Sequence, residues 1–444
     1  MLDKLKSAEQ KLSPGFKKIL RNIGWLSVER LLRMVLAFFV GIYVIRYLGP
    51  DNFGKLSYST SFVFLFLAIS KLGLDQIVVR NLVKQEDLTS EILGTTFLLK
   101  LLGNIAAFTI ISTAIIISAD DIEIRQMTII IAFSMIFTSF DVLDLWFQSQ
   151  VLSKSISIVR SIQLIISSLA KLIFIWLKLP VIFFAYLFIA DTIIRAIGMS
   201  TVYWLDNKHH LIRWKLDKSL GIDLLKNSWP LILTGVMVTI YMQIDQVMLG
   251  NMSTSNELGN YAAAVKFSEV WYFIPTVICS SVFPTIIKAK QKSQAEYYAK
   301  VQQLYDFMAF ISLGIAVVVS LTSSYILTGL LGAEYSNAGK ILTLHIWSAI
   351  FVFFGVARGD WLVIEDRNTL NLVTQLLGAI TNVLLNLILI PQYGAIGAAI
   401  ATLISYAISS YFSCIMFPFM FHTGWMMTKA LLIPFRLKSL MKFR

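Results

Sequence analysis

The chain has 444 residues, 57% of them hydrophobic and 14% charged, and a mean hydropathy of +0.73. Soluble globular proteins carry about 25% charged residues. A chain this poor in charge cannot coat a water-facing surface, which excludes a soluble enzyme and leaves an all-α polytopic membrane protein. The formal net charge of +12 is concentrated between the apolar runs, where membrane topology puts it, so nucleic acid is not an expected partner.

In chain order, residues 1–21 are basic, with Lys4, Lys6, Lys11, Lys17, Lys18 and Arg21. The apolar run behind them is too long for the core of a cleaved signal, and no small-residue cleavage site follows. Apolar runs then predict twelve transmembrane helices, near 23–47, 56–82, 92–118, 126–149, 157–178, 181–204, 225–249, 258–287, 301–327, 337–363, 369–390 and 394–421. Each has the roughly twenty residues that a spanning helix needs. The chain therefore divides into a basic cytoplasmic N-terminus (1–21), an N-terminal six-helix lobe (22–204), a cytoplasmic linker (205–221), a C-terminal six-helix lobe (222–422) and a basic cytoplasmic tail (423–444).

With the N-terminus inside, the outward loops hold few cations: Arg46, Lys55, Arg125, Lys178 and Lys340. The inward segments hold many, including Lys208, Arg213, Lys215 and Lys218, then Lys288, Lys290, Lys292 and Lys300, then Lys429, Arg436, Lys438, Lys442 and Arg444. A bias of roughly five to one is the positive-inside pattern. It places both termini in the cytoplasm.

The two halves echo each other. The stretch from Trp25 through the turn Leu48-Gly49-Pro50-Asp51-Asn52-Phe53-Gly54 to Tyr58 parallels the stretch from Trp229 to Leu258-Gly259-Asn260-Tyr261. Asp144-Leu145-Trp146 parallels Asp360-Trp361, and the break at Leu179-Pro180 parallels Ile390-Pro391. An even number of spans per half makes the repeats parallel, and repeat-built transporters carry substrate between their halves.

Charges within the spans are costly and by default mark function. Glu29, Arg30 and Arg33 form one stripe at helical spacing; Lys171, Asp191, Asp245 and Lys266 also lie deep in their spans. These are expected to face a hydrated cleft. Lys71/Asp75, Asp191/Arg195 and Lys266/Glu269 are expected to pair along their own helices, whereas Lys100, Asp141, Asp144, Asp306, Arg358 and Asp360, near inner ends, read as structural. Catalytic motifs are missing: there is no P-loop, HExxH, CxxC or GxSxG. No catalytic residue, metal or cofactor is expected. Asp141 and Asp144 read as a paired or solvated cap, His345 as a buried hydrogen-bonded residue, and Cys279 and Cys414 as small core residues.

The run Asn227-Ser228-Trp229-Pro230, Gln243-Ile244-Asp245-Gln246, Leu258-Gly259-Asn260-Tyr261 resembles the seventh span and following turn of polysaccharide repeat-unit flippases. Leu48-Gly49-Pro50 with Phe53-Gly54, Trp146-Phe147-Gln148 and Pro391-Gln392-Tyr393-Gly394-Ala395-Ile396-Gly397-Ala398-Ala399 are similar to the same family. That family moves O-antigen and other lipid-linked oligosaccharides and belongs to the multidrug/oligosaccharidyl-lipid/polysaccharide exporter superfamily. The resemblance implies two six-helix lobes around a central cavity that opens alternately inward and outward. It implies transport of undecaprenyl-pyrophosphate-linked oligosaccharide from the cytoplasmic to the periplasmic leaflet of a bacterial inner membrane, for lipopolysaccharide-type surface glycan. A polysaccharide polymerase and a chain-length regulator are the implied protein partners. Family cavities are cationic, whereas the intramembrane charges here are nearly balanced in sign.

On this reading Arg30, Arg33 and Lys266 are the expected pyrophosphate contacts, since guanidinium groups fork onto phosphate oxygens. Lys171 and Lys71 are further substrate contacts, and Asp245, Asp191 and Glu29 are expected to couple transport to a cation or proton. Tyr43, Tyr241 and Trp271 are expected to pack, with stacking on sugar faces as the alternative. The rival readings are a multidrug exporter of the same fold and a membrane glycan polymerase or ligase. The short outward loops disfavour the second, which usually carries a sizeable outer catalytic loop. A tag at either end is expected to be reached only from the cytoplasmic side. Labelling of either tag from outside intact cells would break this topology.

Overall fold

The computed structural model describes residues 14–207 and 214–433; side chains are described for residues 32–205, 214–367 and 369–433. Among these residues every regular element is helical. α1 (Pro14–Leu65) is followed by the short α2 (Leu67–Lys71) and α3 (Asp75–Lys84), then α4 (Thr89–Ser118) and α5 (Ile122–Ser134). A 3-10 segment, Met135–Asp141, leads into α6 (Val142–Ser149); α7 (Ser153–Trp176) and α8 (Ile182–Asn207) complete the first half. The second half holds α9 (Lys218–Met252), α10 (Ser255–Glu269), α11 (Phe273–Lys292), α12 (Gln294–Leu331), α13 (Ser336–His345), α14 (Ser348–Ile364), α15 (Asn368–Ala407), α16 (Ser413–Met416) and α17 (Phe421–Leu431).

Nine of the described helices are long and apolar enough to cross a bilayer, and the bent pair Ala333–His345 with Ser348–Ile364 makes ten. Two of the ten, Leu32–Leu65 and Thr369–Met416, are broken internally, at Gly49 (φ 68°, ψ 170°) and Gly394 (φ 53°, ψ −130°). Counting both limbs of each gives twelve spans, as expected. Only glycine enters these backbone regions at little cost, so each glycine lets the chain reverse without a long loop. The break between the last two spans therefore falls at Gly394 and not at Ile390-Pro391. Pro391 stays inside the helix, three residues before the glycine and so in the last turn of its limb.

Helix starts are marked by side-chain caps. Asp121 Oδ1 accepts from the Glu123 N–H at 2.7 Å, Thr254 Oγ1 from Glu257 at 3.2 Å and Ser293 Oγ from Glu296 at 3.1 Å. Each satisfies a backbone donor that has no partner within the helix.

Contacts divide the chain into two compact units, Met1–Tyr47 with Phe62–Val236, and Leu48–Ser61 with Met237–Arg444. The division runs through α9 and not through the polar stretch 205–221. The described end of that stretch is tied into the first unit. The Asp217 N–H donates to Thr95 Oγ1 at 2.9 Å, and the Trp214 ring lies 5.6 Å from Phe97. The core of the first unit joins Leu74, Val78, Ile92, Leu143, Phe147 and Met199, with Trp146 edge-on to Tyr203 at 5.0 Å. In the second unit Tyr261, Tyr305, Tyr335, Phe353 and Phe354 are fully buried. The segment expected as a tail from residue 423 begins as α17. Thr423, Met426, Met427 and Ala430 of that helix are buried, and Gln302 Nε2 of α12 donates to the Met426 carbonyl at 3.0 Å.

The internal repeat is visible in the backbone. After α6, Val151 has φ 57° and the N–H groups of residues 150, 151 and 152 donate to the carbonyls of Trp146, Gln148 and Phe147. After α14, Asp366 has φ 56° and the N–H groups of residues 365, 366 and 367 donate to Trp361, Val363 and Leu362. Every position is shifted by 215 (361 − 146, 366 − 151 and so on), so the Trp146/Trp361 echo in the sequence is a repeated turn.

Within the second unit, the turn Pro50–Gly54 packs backbone to backbone on Ser255–Gly259. A Cβ on Gly54 would lie 2.8 Å from the Ser255 carbonyl carbon, and one on Gly259 would lie 2.6 Å from that of Pro50. Tyr58 clasps the same region, its hydroxyl donating to Asn251 Oδ1 at 2.7 Å. Gly→Ala in a helix normally gains up to about 1 kcal/mol, whereas overpacking costs about 1–3 kcal/mol. Gly259→Ala is therefore expected to lower the thermal midpoint of the purified protein. Gly314→Ala, at a site with nothing within 4 Å, is expected to hold or raise it. Equal midpoints for the two variants would contradict the close packing.

Candidate functional site

The first unit contains a polar basin of about 530 Å³ at the end of the bundle that carries the turns after α2 and α6. Four cations, Lys71, Lys100, Arg160 and Arg195, and three carboxylates, Asp75, Asp141 and Asp144, line it. Each carboxylate has one cation: Lys100 with Asp75 at 2.6 Å, Arg160 with Asp144 at 2.6 Å and Arg195 with Asp141 at 2.8 Å. Lys71 is the surplus. It makes no ion pair among the described residues and carries one unbalanced positive charge on the basin wall.

The elements explain this gathering. Leu72 (φ 53°) and Gly73 (φ 60°) are left-handed and turn the chain between α2 and α3, which brings Asp75 to Lys100 of α4. The 3-10 segment before α6 presents Asp141 and Asp144 to Arg195 of α8 and Arg160 of α7. Deeper in the wall, Asn104 Nδ2 donates to Ser139 Oγ at 3.0 Å and Ser70 Oγ donates to Asn104 Oδ1. Such a basin keeps polar groups wet or paired inside a bundle whose outside is apolar, as membrane burial demands.

The second unit encloses a different group. Asp245 of α9 is 7% exposed. Its Oδ2 accepts from the Tyr261 hydroxyl at 2.9 Å and the Thr402 hydroxyl at 2.5 Å, and its Oδ1 accepts from Asn386 Nδ2 at 2.9 Å. Asn386 also donates to Asn382 Oδ1 at 2.9 Å, and its own Oδ1 is buried without a donor. All these donors are neutral, and Asp245 makes no ion pair among the described residues. His345 is buried nearby, edge-on to Tyr261 at 6.1 Å, with Nδ1 lacking the hydrogen bond expected for it. No cluster of three or more His, Cys, Asp or Glu with metal-site geometry occurs among the described residues.

A family model described as polysaccharide biosynthesis protein matches residues 19–290, more than half of the chain. The chain belongs to the polysaccharide biosynthesis protein family. Among curated relatives, the "Probable flippase AglR" of Haloferax volcanii is 30% identical over 179 residues, 38% of this chain and 36% of its own length. The "Putative O-antigen transporter" of Shigella dysenteriae is 24% identical over 234 residues, 52% of this chain and 58% of its own length. The matched stretch thus spans about a third of the archaeal relative. Two solved structures share the fold. "Lipid II flippase MurJ, inward closed conformation" has TM-score 0.73 at 14% identity, covering 94% of this chain and 93% of the other. An inward-facing multidrug resistance MATE family transporter of the MOP superfamily has TM-score 0.68 at 13% identity, covering 95% and 99%. This family member is a multi-pass membrane protein of that fold.

The predicted site residues are spread through the structure. Glu29 and Arg30 lie outside the described side chains. Arg33 is exposed on α1, and Lys266 is exposed on α10 with Nζ 5.9 Å from the centroid of the Phe53 ring. Lys171 of α7 and Asp191 of α8 attract each other, and Ser167 Oγ donates to Asp191 Oδ2 at 3.0 Å. Of the expected substrate contacts with described side chains, only Lys71 lies in the basin. Asp245, expected in a hydrated cleft, is enclosed by hydroxyl and amide groups instead. Two of the expected pairings along single helices are replaced: Asp75 takes Lys100 and Arg195 takes Asp141, each on another helix. The sequence reading missed Arg160, Asn382, Asn386 and Thr402. Their signal was there as polar residues in apolar runs, with Asn382 and Asn386 one helical turn apart.

The Asp144–Arg160 pair is the most enclosed of the three by its carboxylate, with side-chain exposures of 11% and 29%. Arg160→Met leaves that carboxylate without its cation and is expected to destabilise the protein. Asp144→Leu with Arg160→Met removes both charges and is expected to recover most of the loss, with a coupling of about 1–3 kcal/mol. Thermal midpoints that simply add would show that the pair contributes nothing.

Proposed function

We propose that the protein is a flippase that moves lipid-linked oligosaccharide, in particular undecaprenyl-pyrophosphate-linked repeat units, from the cytoplasmic to the periplasmic leaflet for O-antigen-type surface polysaccharide. The observation that carries this reading is the basin: a space of about 530 Å³ with one surplus cation, set in a membrane-spanning bundle. A sugar pyrophosphate cannot cross hydrocarbon unaided, because its polar groups would lose their hydrogen bonds. A polar basin supplies replacements, while the polyprenyl chain stays in lipid. Family membership and the names of the Haloferax and Shigella relatives support the same substrate class.

In this mechanism the protein alternates between inward- and outward-open forms around a central cavity. Arg30, Arg33, Lys266, Lys171 and Lys71 meet the phosphates and the glycan head. Asp245 couples the alternation to a cation or proton. A carboxylate enclosed by neutral donors needs a positive partner to offset its charge, and the oxygens of Asp245, Thr402 and Asn386 suit a hard cation. Asp191 and Glu29 are secondary coupling candidates. The expected setting is a bacterial inner membrane with both termini cytoplasmic, beside a polysaccharide polymerase and a chain-length regulator.

Replacing Arg30 and Arg33 together with Ala is expected to abolish surface glycan while the protein persists in the membrane; unchanged glycan overturns the phosphate assignment. In proteoliposomes, flipping is expected to respond to an imposed sodium or proton gradient, and Asp245→Asn is expected to remove that response. A gradient response that survives in Asp245→Asn assigns coupling elsewhere. Drug tolerance conferred without a glycan defect would instead favour the multidrug exporter.

A further inference from the structure

The second unit holds a cavity of about 360 Å³ at the place equivalent to the basin of the first. Asp141, Asp144, Ile156, Arg160 and Arg195 line the basin, and Val356, Gly359, Asn371, Gln375 and Ser410 line this cavity, each 215 positions on (356 − 141, 410 − 195). The offset is that of the repeated turns after α6 and α14. The two spaces are therefore copies of one design, from which the second has lost the charges. Both carboxylates of the motif and both arginines are replaced by neutral residues.

Two charges were added. Asp360, at the position equivalent to Leu145, is not part of the cavity lining. Arg358, at the position equivalent to Leu143, lines the cavity and is 2% exposed. It makes no ion pair among the described residues. Nη1 donates to the Ser409 carbonyl and, at 3.2 Å, to Ser413 Oγ; Nη2 donates to Asn371 Oδ1 at 3.0 Å. A guanidinium has five N–H donors. Two remain, Nε–H and one on Nη2, and Nε is buried without a hydrogen-bond partner among the described residues. The Nε–Nη2 edge is one that an oxyanion can grip in bidentate fashion. Ile408–Phe412 forms a π-turn, and the Ser409 carbonyl within it is the one that receives Arg358. Such turns recur at functional sites.

The walls describe the rest of the ligand. Tyr241 and Tyr406 are stacked at 4.8 Å, Tyr272 lies beside them on the same cavity, and Asn371 and Gln375 add amides. Flat aromatic faces beside convergent amide and guanidinium groups can receive a sugar ring, whose faces are apolar and whose rim is polar. The first unit needs no such ligand, because its carboxylates already neutralise its arginines.

We propose that the Arg358 cavity is a subsite for an anionic sugar, a ring bearing a carboxylate or a phosphate, whose oxyanion supplies the counter-charge that the protein omits. The proposal rests on the glycan-flippase reading for its sugar ring and deepens it: the transported head carries an acidic group besides any pyrophosphate. The buried guanidinium grips that group and the tyrosines flank the ring.

The test is binding, which does not depend on flipping. Thermal midpoints of the purified full-length protein are measured with glucuronate, glucose 1-phosphate, glucose and inorganic phosphate at matched ionic strength. Glucuronate, glucose 1-phosphate or both are expected to raise the midpoint, whereas glucose and inorganic phosphate leave it unchanged. Arg358→Met is expected to abolish the rise. Gly359→Leu keeps the arginine and fills the cavity; a Cβ there meets nothing within 4 Å, so this variant is expected to fold and to lose the rise. It decides the matter should Arg358→Met fail to accumulate. No rise with either anionic sugar, an equal rise with glucose or inorganic phosphate, or a rise that persists in Gly359→Leu overturns the proposal. Anionic-sugar binding in a protein that proves not to flip lipid-linked glycan would refute the transport reading and leave this site standing.

Discussion

A charge buried among membrane-spanning helices must be balanced nearby, and that constraint organises this protein more than any single packing contact. An unbalanced charge at the centre of a spanning helix costs about 3 kcal/mol on insertion scales. In the first unit the cost is offset by cross-helix pairs. Asp144 holds Arg160, Asp141 holds Arg195 and Asp75 holds Lys100, so α3, α4, α6, α7 and α8 are tied at one end of the bundle. The local irregularities serve these pairs. The left-handed Leu72 and Gly73 and the 3-10 segment Met135–Asp141 are where the chain departs from α-helix, and they deliver the carboxylates.

The two units show how one scaffold can carry different electrostatics. The turns after α6 and α14 repeat bond for bond at an offset of 215, so the backbone was kept while the side chains diverged. The first copy became a self-neutralised polar space. The second became a largely uncharged one, with Val356, Gly359, Gln375 and Ser410 in place of the paired charges and a new arginine at 358. Beside it, Asp245 is held by neutral donors alone. Asp245 and Arg358 are thus enclosed charges of opposite sign in the second unit, and neither is balanced by an ion pair among the described residues.

Much of this was legible in the sequence. Apolar length set twelve spans, the repeated turn at Trp146 and Trp361 announced the internal repeat, and the Leu48–Gly54 and Leu258–Tyr261 stretches pointed to the family shown by the match over 19–290. The charge partners were not legible. Pairing at i,i+4 is a rule for isolated helices, where no other partner exists. Inside a bundle a neighbouring helix competes, and Asp75 meets Lys100 across the wall more closely than it meets Lys71 on its own side of the turn. The break at Gly394 was misplaced for a related reason. Proline restricts a helix, but glycine is what lets the chain leave it by a left-handed step.

The balance of charge also bears on how tightly such sites can hold a ligand. In the basin an arriving anion meets cations already engaged, and among the described residues only Lys71 makes no ion pair. Its gain is the difference between the old pairs and the new contacts, which is smaller than the contacts alone. Arg358 and Asp245 are the reverse case. Each is preorganised by neutral partners and lacks only its counter-charge, so nearly all of the electrostatic gain appears when that charge arrives. A transporter must release what it binds, and a ligand shifts a conformational equilibrium only by its differential affinity for the two states. A self-paired basin suits a bulky head that has to leave. On the proposed reading the lone carboxylate suits a small cation and the lone guanidinium the acidic group of a sugar ring, and the arrival of either biases which state the protein adopts.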